Sequence, residues 1–310
     1  MRQCIRRKLV VVGLLTVVAT TMTPTAPALA IYNGYSAPIS SHRFMVSLRR
    51  ADNPTRHTCG GTLIAADIVL TAAHCVAGAG QDGLVALVGV DEPAWAAAPR
   101  IRSVAYRIPV SYNPANDRDD IAVVRLAVAQ TSPTVRLATT EPPVNARVEA
   151  AGWGCTDRPL IATACSGHPK NLQGSRQTVI ADRLCGRDVF FNPPSWAPTS
   201  ICTAGVNTST NRGDSGGPLL VGDARGGFVQ AGVVALGSDN PAKFYGEFTS
   251  IPAEAQWIAG AITALHAAGY PTAFVTDRPL TDVRTALGDV LGVVAGVGNY
   301  LQFEGRRLAV

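Results

Sequence analysis

The sequence predicts an all-β fold, and three observations carry that reading. From residue 31 to about 250 the chain is a series of strand-sized apolar runs, among them "FMVSLRR", "GTLIAADIVLTA", "GLVALVGV", "DIAVVRLA", "ARVEAAGW", "VQAGVVALGS" and "FYGEFTSI". Several alternate apolar and polar residues, and helical periodicity along them is poor. Gly, Pro, Asn and Asp separate the runs at short intervals, the pattern of a β-sandwich or β-barrel.

One stretch breaks the pattern. Residues 252–268, "PAEAQWIAGAITALHAA", begin with Pro252, are rich in alanine and space Trp257, Ile258, Ile262 and Leu265 along one face. This predicts a single amphipathic helix after the last strand. The segment "TTEPPVNA", near residue 140, would link two halves of the strand region.

The two ends read differently from the middle. Arg2, Arg6, Arg7 and Lys8 precede an apolar run from Leu9 to Thr20, and Ala28-Leu29-Ala30 fits a small-residue cleavage site. Residues 1–30 are therefore expected to be an export signal. A retained membrane anchor is the rival, but the run is shorter than the roughly 20 residues a spanning helix needs. Arg6-Arg7 also leaves a twin-arginine route open beside the general one. Residues 269–310 form an extension of unknown role. Its stretch "ALGDVLGVVAGVGNYL" is apolar, but Asp289 and several glycines weaken it as a helix or a membrane span.

Composition narrows the function classes. Hydrophobic residues make up 47% of the chain and charged residues 16%, below the usual ~25%. The first thirty residues hold four basic groups and no acidic one, so their removal lowers the formal charge from +5 to +1. No basic stripe survives, which argues against nucleic acid as a partner. Of seven cysteines, Cys4 falls in the signal. The six that remain are an even set in an exported chain, which implies disulfides with 15 pairings open. Zinc is the competing use, but there is no C-x-x-C pair and no histidine cluster. "VGVDEPAW" has two carboxylates without the dense oxygen pattern of a calcium loop. No metal and no cofactor is expected.

Three short motifs carry chemistry, in the order His, Asp, Ser: "TAAHC" with His74, "DDIAVVRL" with Asp120, and "GDSGGP" with Ser215. A serine hydroxyl is a weak nucleophile at neutral pH and needs an imidazole to take its proton. The imidazole needs a carboxylate on its other nitrogen to fix the tautomer. The tetrahedral intermediate needs backbone N–H donors, which a Gly-Asp-Ser-Gly-Gly turn can present. Taken singly, a histidine or an aspartate before a strand is commonly structural.

Together, "LTAAHC", "DDIAVVRL", "AGWG" and "GDSGGP" make the chain resemble the chymotrypsin/trypsin family of serine proteases, from Ile31 to about Ala268. The order His, Asp, Ser separates that family from subtilisins and α/β-hydrolases. The resemblance implies two antiparallel β-barrels, about 31–140 and 141–250, closed by the helix at about 252–268. It implies a secreted endopeptidase with His74 as general base, Asp120 as its orienting partner and Ser215 as nucleophile. The oxyanion hole would be the N–H groups of Gly213 and Ser215. Asp119 rivals Asp120, but the family's aspartate directly precedes the Ile-Ala run, so Asp119 is expected to be solvated.

The same resemblance pairs Cys59 with Cys75 and Cys185 with Cys202. Cys155 and Cys165 are left as a third pair outside the common family set. Ser209 would floor the primary specificity pocket, with Gly237 and Gly246 at its walls and an open slot between them. A neutral floor predicts a large apolar residue before the scissile bond. Leu236 and Ala235 stand where relatives carry Trp and Ser, Asn211 where many carry a cysteine, and Arg212 is expected as a solvated side chain at the lip. The resemblance further implies that a freed Ile31 amine pairs with Asp214. Cleavage after Ala30 would create that amine directly, whereas cleavage after Ala28 would leave two residues to trim. Expected partners are protein or peptide substrates and protein inhibitors of proteases, with no membrane after signal removal and a monomeric state. The alternatives are an inactive secreted binding homologue and a narrow-specificity protease or esterase.

Overall fold

The computed structural model describes residues 31–115, 118–157, 165, 167–181, 184, 199–237, 244–268 and the strand residues 302–303 and 306–307. Fourteen strands come first: β1 (Tyr35–Ser36), β2 (Met45–Arg50), β3 (Cys59–Ala65), β4 (Ile68–Thr71), β5 (Leu84–Val88), β6 (Ile101–Arg107), β7 (Ala122–Leu126), β8 (Arg136–Leu137), β9 (Arg147–Gly152), β10 (Gln173–Val179), β11 (Ser200–Gly205), β12 (Pro218–Gly222), β13 (Phe228–Gly237) and β14 (Tyr245–Ser250). Two one-turn helices, α1 (Ala73–Val76) and α2 (Glu92–Trp95), interrupt the first half, and α3 (Ile251–Ala267) follows β14. A two-residue pair, β15 (Gln302–Phe303) and β16 (Arg306–Arg307), stands apart.

Strands β2 to β7 close into one antiparallel barrel in the order β2-β3-β4-β7-β6-β5. The second barrel runs β10-β11-β14-β13-β12-β9, and a pairing of β9 with β10 closes it. β1 adds to β10, and β8 lies parallel to β13. Closure removes the free edges that would otherwise template aggregation.

The strand patterns follow from this closure. β6 alternates buried and half-buried residues, so one face fills the barrel and the other meets solvent. β4 is buried throughout, because its outer face is covered as well. Val46, Leu63, Ile68, Leu70 and Val123 fill the first barrel, and Val148, Ile201, Leu219, Val234 and Phe248 the second. A third cluster, with Met45, Leu87, Trp95, Trp153, Leu172 and Leu220, joins residues of both barrels.

α3 starts one residue before the expected Pro252 and is capped by Ser250, whose side chain accepts from the Ala253 N–H. Its buried residues Ile251, Ile258, Ala261 and Leu265 belong to the first barrel's core cluster. The helix leaves the second barrel and packs back on the first. Among the described residues, no helix is long and apolar enough to cross a membrane.

Candidate active site

The site forms where the two barrels meet. His74 lies on α1, the single turn after β4, and Asp120 lies just before β7. β4 and β7 are paired neighbours, with Thr71 opposite Ala122, and this register brings the two residues together. His74 Nδ1 is 2.6 Å from Asp120 Oδ2, and the His74 backbone N–H donates to Asp120 Oδ1 at 2.8 Å. The carboxylate is fully buried, whereas the His74 side chain is 32% exposed. A carboxylate accepts only, so Nδ1 carries the proton and Nε2 is left as a base. Thr249 of β14 donates to the Asp120 carbonyl at 2.9 Å, tying that carbonyl to the second barrel.

Ser215 sits half-buried in the turn before β12. Gly60 of β3 donates to the Ser215 carbonyl at 2.7 Å. Gly60 follows Cys59, and the Cys59–Cys75 disulfide ends beside His74. Gly216 approaches the same place: a Cβ on it would lie 2.1 Å from Thr71 Oγ1 and 3.1 Å from the Ala72 nitrogen. Its φ of 78° also suits glycine. The sequence "SGG" thus lets the serine turn dock on the segment that leads into His74.

Backbone anchors orient the two expected oxyanion donors. Cys155 N–H donates to the Arg212 carbonyl at 2.7 Å. In a trans peptide the N–H points opposite the C=O, so Gly213 N–H is directed away from Cys155. Gly217 N–H donates to the Asp214 carbonyl at 2.8 Å and fixes Ser215 N–H in the same way. Gly213 holds a φ of 96°, which permits this turn.

His57 lies beneath the turn, a residue that motif reading missed. Its Nε2 is 2.9 Å from the Gly213 carbonyl, and its Nδ1 is 2.8 Å from Ser47 Oγ. The carbonyl can only accept, so Nε2 bears the hydrogen and Ser47 donates to Nδ1. Burial pushes the imidazole pKa down to about 3, so it stays neutral at ordinary pH. The only sequence signal was a histidine two residues before "CGG".

Asp214, behind the serine, is fully buried. Its Oδ1 accepts from Gly154 N–H and its Oδ2 from Asn211 N–H, both at 2.8 Å. Side chains at Gly152 or Gly154 would collide with the carboxylate, at 2.1 and 2.4 Å, which accounts for the spacing of "AGWG". Burial pushes the Asp214 pKa up to about 7, although both backbone hydrogen bonds pull it down. Ile31 is also fully buried, and in peptide linkage it adopts a φ of 56°, strained for a β-branched residue.

One expectation is revised. Asp119 is not solvated: it is 6% exposed and accepts from Thr199 Oγ1 at 2.9 Å. The same turn that faces Asp120 to His74 carries Asp119, at a φ of 53°, under the neighbouring loop and α3. The glycines expected at the pocket walls each lack room for a side chain. A Cβ at Gly237 would lie 3.0 Å from the Thr210 carbonyl, and one at Gly246 would lie 2.9 Å from Phe248 Cε2. Ser209, at 1% exposure, pairs through its backbone with Tyr32. Ser209 Oγ and Thr210 Oγ1 are buried without hydrogen-bond partners among the described residues.

Disulfides Cys59–Cys75 and Cys155–Cys165 are present, which commits those thiols to sulfur and not to zinc. Cys202 is disulfide-bonded, while Cys185 lies outside the described residues. Asp91 of "VGVDEPAW" accepts from Trp153 Nε1 at 3.1 Å and from Leu172 N–H at 2.7 Å, a structural use of one of its two carboxylates. The expected signal and most of the extension, residues 1–30 and the bulk of 269–310, also lie outside the described residues.

Comparison with known proteins agrees with this geometry. The Trypsin family model matches residues 31–258. A trypsin of Sarcophaga bullata is 29% identical over 234 residues, 74% of this chain and 87% of the relative. Trypsin epsilon of Drosophila erecta is 31% identical over 207 residues, 65% of this chain and 77% of the relative. Among solved structures, mouse neuropsin, a serine protease expressed in the limbic system, matches with a TM-score of 0.62 at 24% identity, over 75% of this chain and 100% of that one. The chain belongs to the trypsin family and is a serine endopeptidase with a chymotrypsin-like fold.

Proposed function

We propose that the chain is a secreted endopeptidase in which Ser215, His74 and Asp120 form the catalytic triad. The single observation that carries this is the doubly bonded His74–Asp120 pair, with a buried carboxylate and a partly exposed imidazole. Ser215 Oγ attacks the scissile carbonyl, and its proton passes to His74 Nε2. The negative charge that develops on the carbonyl oxygen is held by Gly213 and Ser215 N–H, each such donor being worth roughly 3–4 kcal/mol. His74 then returns the proton to the leaving amine, and the acyl group stays on Ser215. Water, deprotonated by the same His74, releases the acid and restores the serine.

The buried, uncharged Ser209 supports a preference for large apolar residues before the scissile bond, since a cationic side chain would find no carboxylate partner there. The burial of both Ile31 and Asp214 supports their pairing once signal cleavage after Ala30 frees the amine. Protein and peptide substrates, together with protein inhibitors, would reach a monomer outside the cell.

The test is to label the secreted protein with an organophosphonate and to sequence its N-terminus. The reading expects one adduct on Ser215, none on Ser215→Ala, and Ile31 as the first residue. Folded protein that takes no label would instead be a binding homologue. A peptide-library digest showing cleavage only after Arg and Lys would overturn the pocket assignment.

A further inference from the structure

Asp119 and Glu254 are two carboxyl groups in contact, one residue from the proposed catalytic aspartate. Asp119 is 6% exposed and Glu254, in the first turns of α3, is 8% exposed. Their side chains hydrogen-bond to each other. A carboxylate cannot donate, so one member of the pair must hold a proton. Asp119 already accepts from Thr199 Oγ1 at 2.9 Å and lies 3.5 Å from Arg118 Nε, which makes it the better anion. Glu254 is then the protonated partner.

The surroundings make this contact a clamp. The Thr199 carbonyl accepts from the Ser250 N–H at 2.6 Å, so Thr199 ties the Asp119 loop to the cap of α3. Asp120 is the next residue along, bonded to His74 through its side chain and to Thr249 through its carbonyl. The left-handed φ of Asp119 sends the two neighbouring carboxylates in different directions, one to α3 and one to the imidazole. The charged groups around the pair are Arg118 and Asp120 on its own loop, His74 on α1, and Glu141, which accepts from Ser250 Oγ.

We propose that Glu254 is a positioning residue whose proton, shared with Asp119, holds Asp120 in register against His74, so that loss of this proton to solvent lowers the reactivity of Ser215. Deprotonation would leave two buried carboxylates in contact beside a third, and the exposed Arg118 offsets only one of them. Burial and the Asp119 charge push the Glu254 pKa up to about 7, which places the event inside the working range of an imidazole base. The inference rests on the triad assignment for Ser215, and its test separates the two.

The rate of phosphonate labelling at Ser215 is measured from pH 5 to 10 for the mature protein and for Glu254→Gln, which keeps a donor toward Asp119 but cannot titrate. The expected wild-type profile falls at least about fivefold on a limb centred near pH 7, and the variant lacks that limb. Asp119→Asn should remove the same limb, which guards against a folding defect in one variant. The proton on His74 Nδ1, followed by NMR, should show in wild type a further shift with this midpoint beside the ring's own titration, and Glu254→Gln should show the ring's titration alone. Labelling with identical pH profiles in all three proteins would overturn the clamp while leaving the triad intact. Absence of labelling at any pH would instead overturn the triad, and the NMR titration would still report on the clamp.

Discussion

The Gly60 N–H reaches the Ser215 carbonyl at 2.7 Å, a backbone hydrogen bond between β3 of the first barrel and the serine turn of the second. It fixes the serine turn to the segment that is disulfide-linked beside His74. The proposed nucleophile and base are therefore registered by main-chain contacts, which hold position more rigidly than long side chains would.

That docking has no room for a side chain. Gly216→Ala would put a Cβ 2.1 Å from Thr71 Oγ1 and 2.5 Å from the Gly60 carbonyl, at a φ of 78°. We expect a loss of at least ~2 kcal/mol in stability and of at least about 100-fold in kcat/KM. Thermal melting and active-site titration check the two effects separately. Wild-type labelling at Ser215 in the variant would contradict this account.

His57 should act on the proposed oxyanion turn and not on substrate binding. His57→Ala leaves the Gly213 carbonyl and Ser47 Oγ without their ring partner. The expected result is a fall in kcat of about 10- to 100-fold with KM changed by less than about threefold. Stability should also lose the part of its acid dependence that His57 supplies. The folded imidazole titrates near 3, while the unfolded one takes a proton below the ordinary 6.5. Its contribution is therefore complete above 6.5 and is lost as the pH falls from 6.5 toward 3. Denaturant melts across that window should flatten in the variant.

Asp214 gives the opposite sign. With Ile31 in peptide linkage, burial raises its pKa from 3.8 to about 7. The unfolded carboxyl ionises first, so a chain retaining Ala30 should lose stability as the pH rises from 3.8 to about 7, by up to ~4 kcal/mol. Once a free Ile31 amine pairs with Asp214, that loss should shrink or reverse. Melting temperatures of the two forms across the window make the comparison. Parallel curves would mean that the amine does not reach Asp214.

Gly237, the proposed wall position, should control the size of side chain accepted. The structure already places the Thr210 carbonyl 3.0 Å from where a Cβ would stand. Gly237→Val should cut turnover of substrates with an aromatic residue before the scissile bond by at least about 100-fold, while small-side-chain substrates lose less than about tenfold. Steady-state kinetics on matched peptides measures the ratio. An unchanged ratio would place the pocket elsewhere.

Much of the architecture was legible because its signals are local. Strand-sized runs and turn residues predicted β structure from 31 to about 250, and α3 begins within one residue of its expected start. Within the site, "TAAHC" and "DDIAVVRL" marked two residues that the β4–β7 pairing then brings to 2.6 Å. His57 was not legible, because its role depends on Ser47 and Gly213, 10 and 156 residues away. Asp119 was misread as solvated, since the elements that bury it arrive from residues 199 and 254.

The sequence by itself determined the strand content, the terminal helix and the chemical identity of the triad candidates. Those properties depend on residue type and short-range spacing. Only the tertiary structure decided which carbonyls anchor the Gly213–Ser215 turn, why Gly152 and Gly154 must lack side chains around Asp214, and that Asp119 and Glu254 meet in a buried contact. Each of these depends on burial and on contacts between distant segments, and burial fixes the energy of a charge or an unpaired donor.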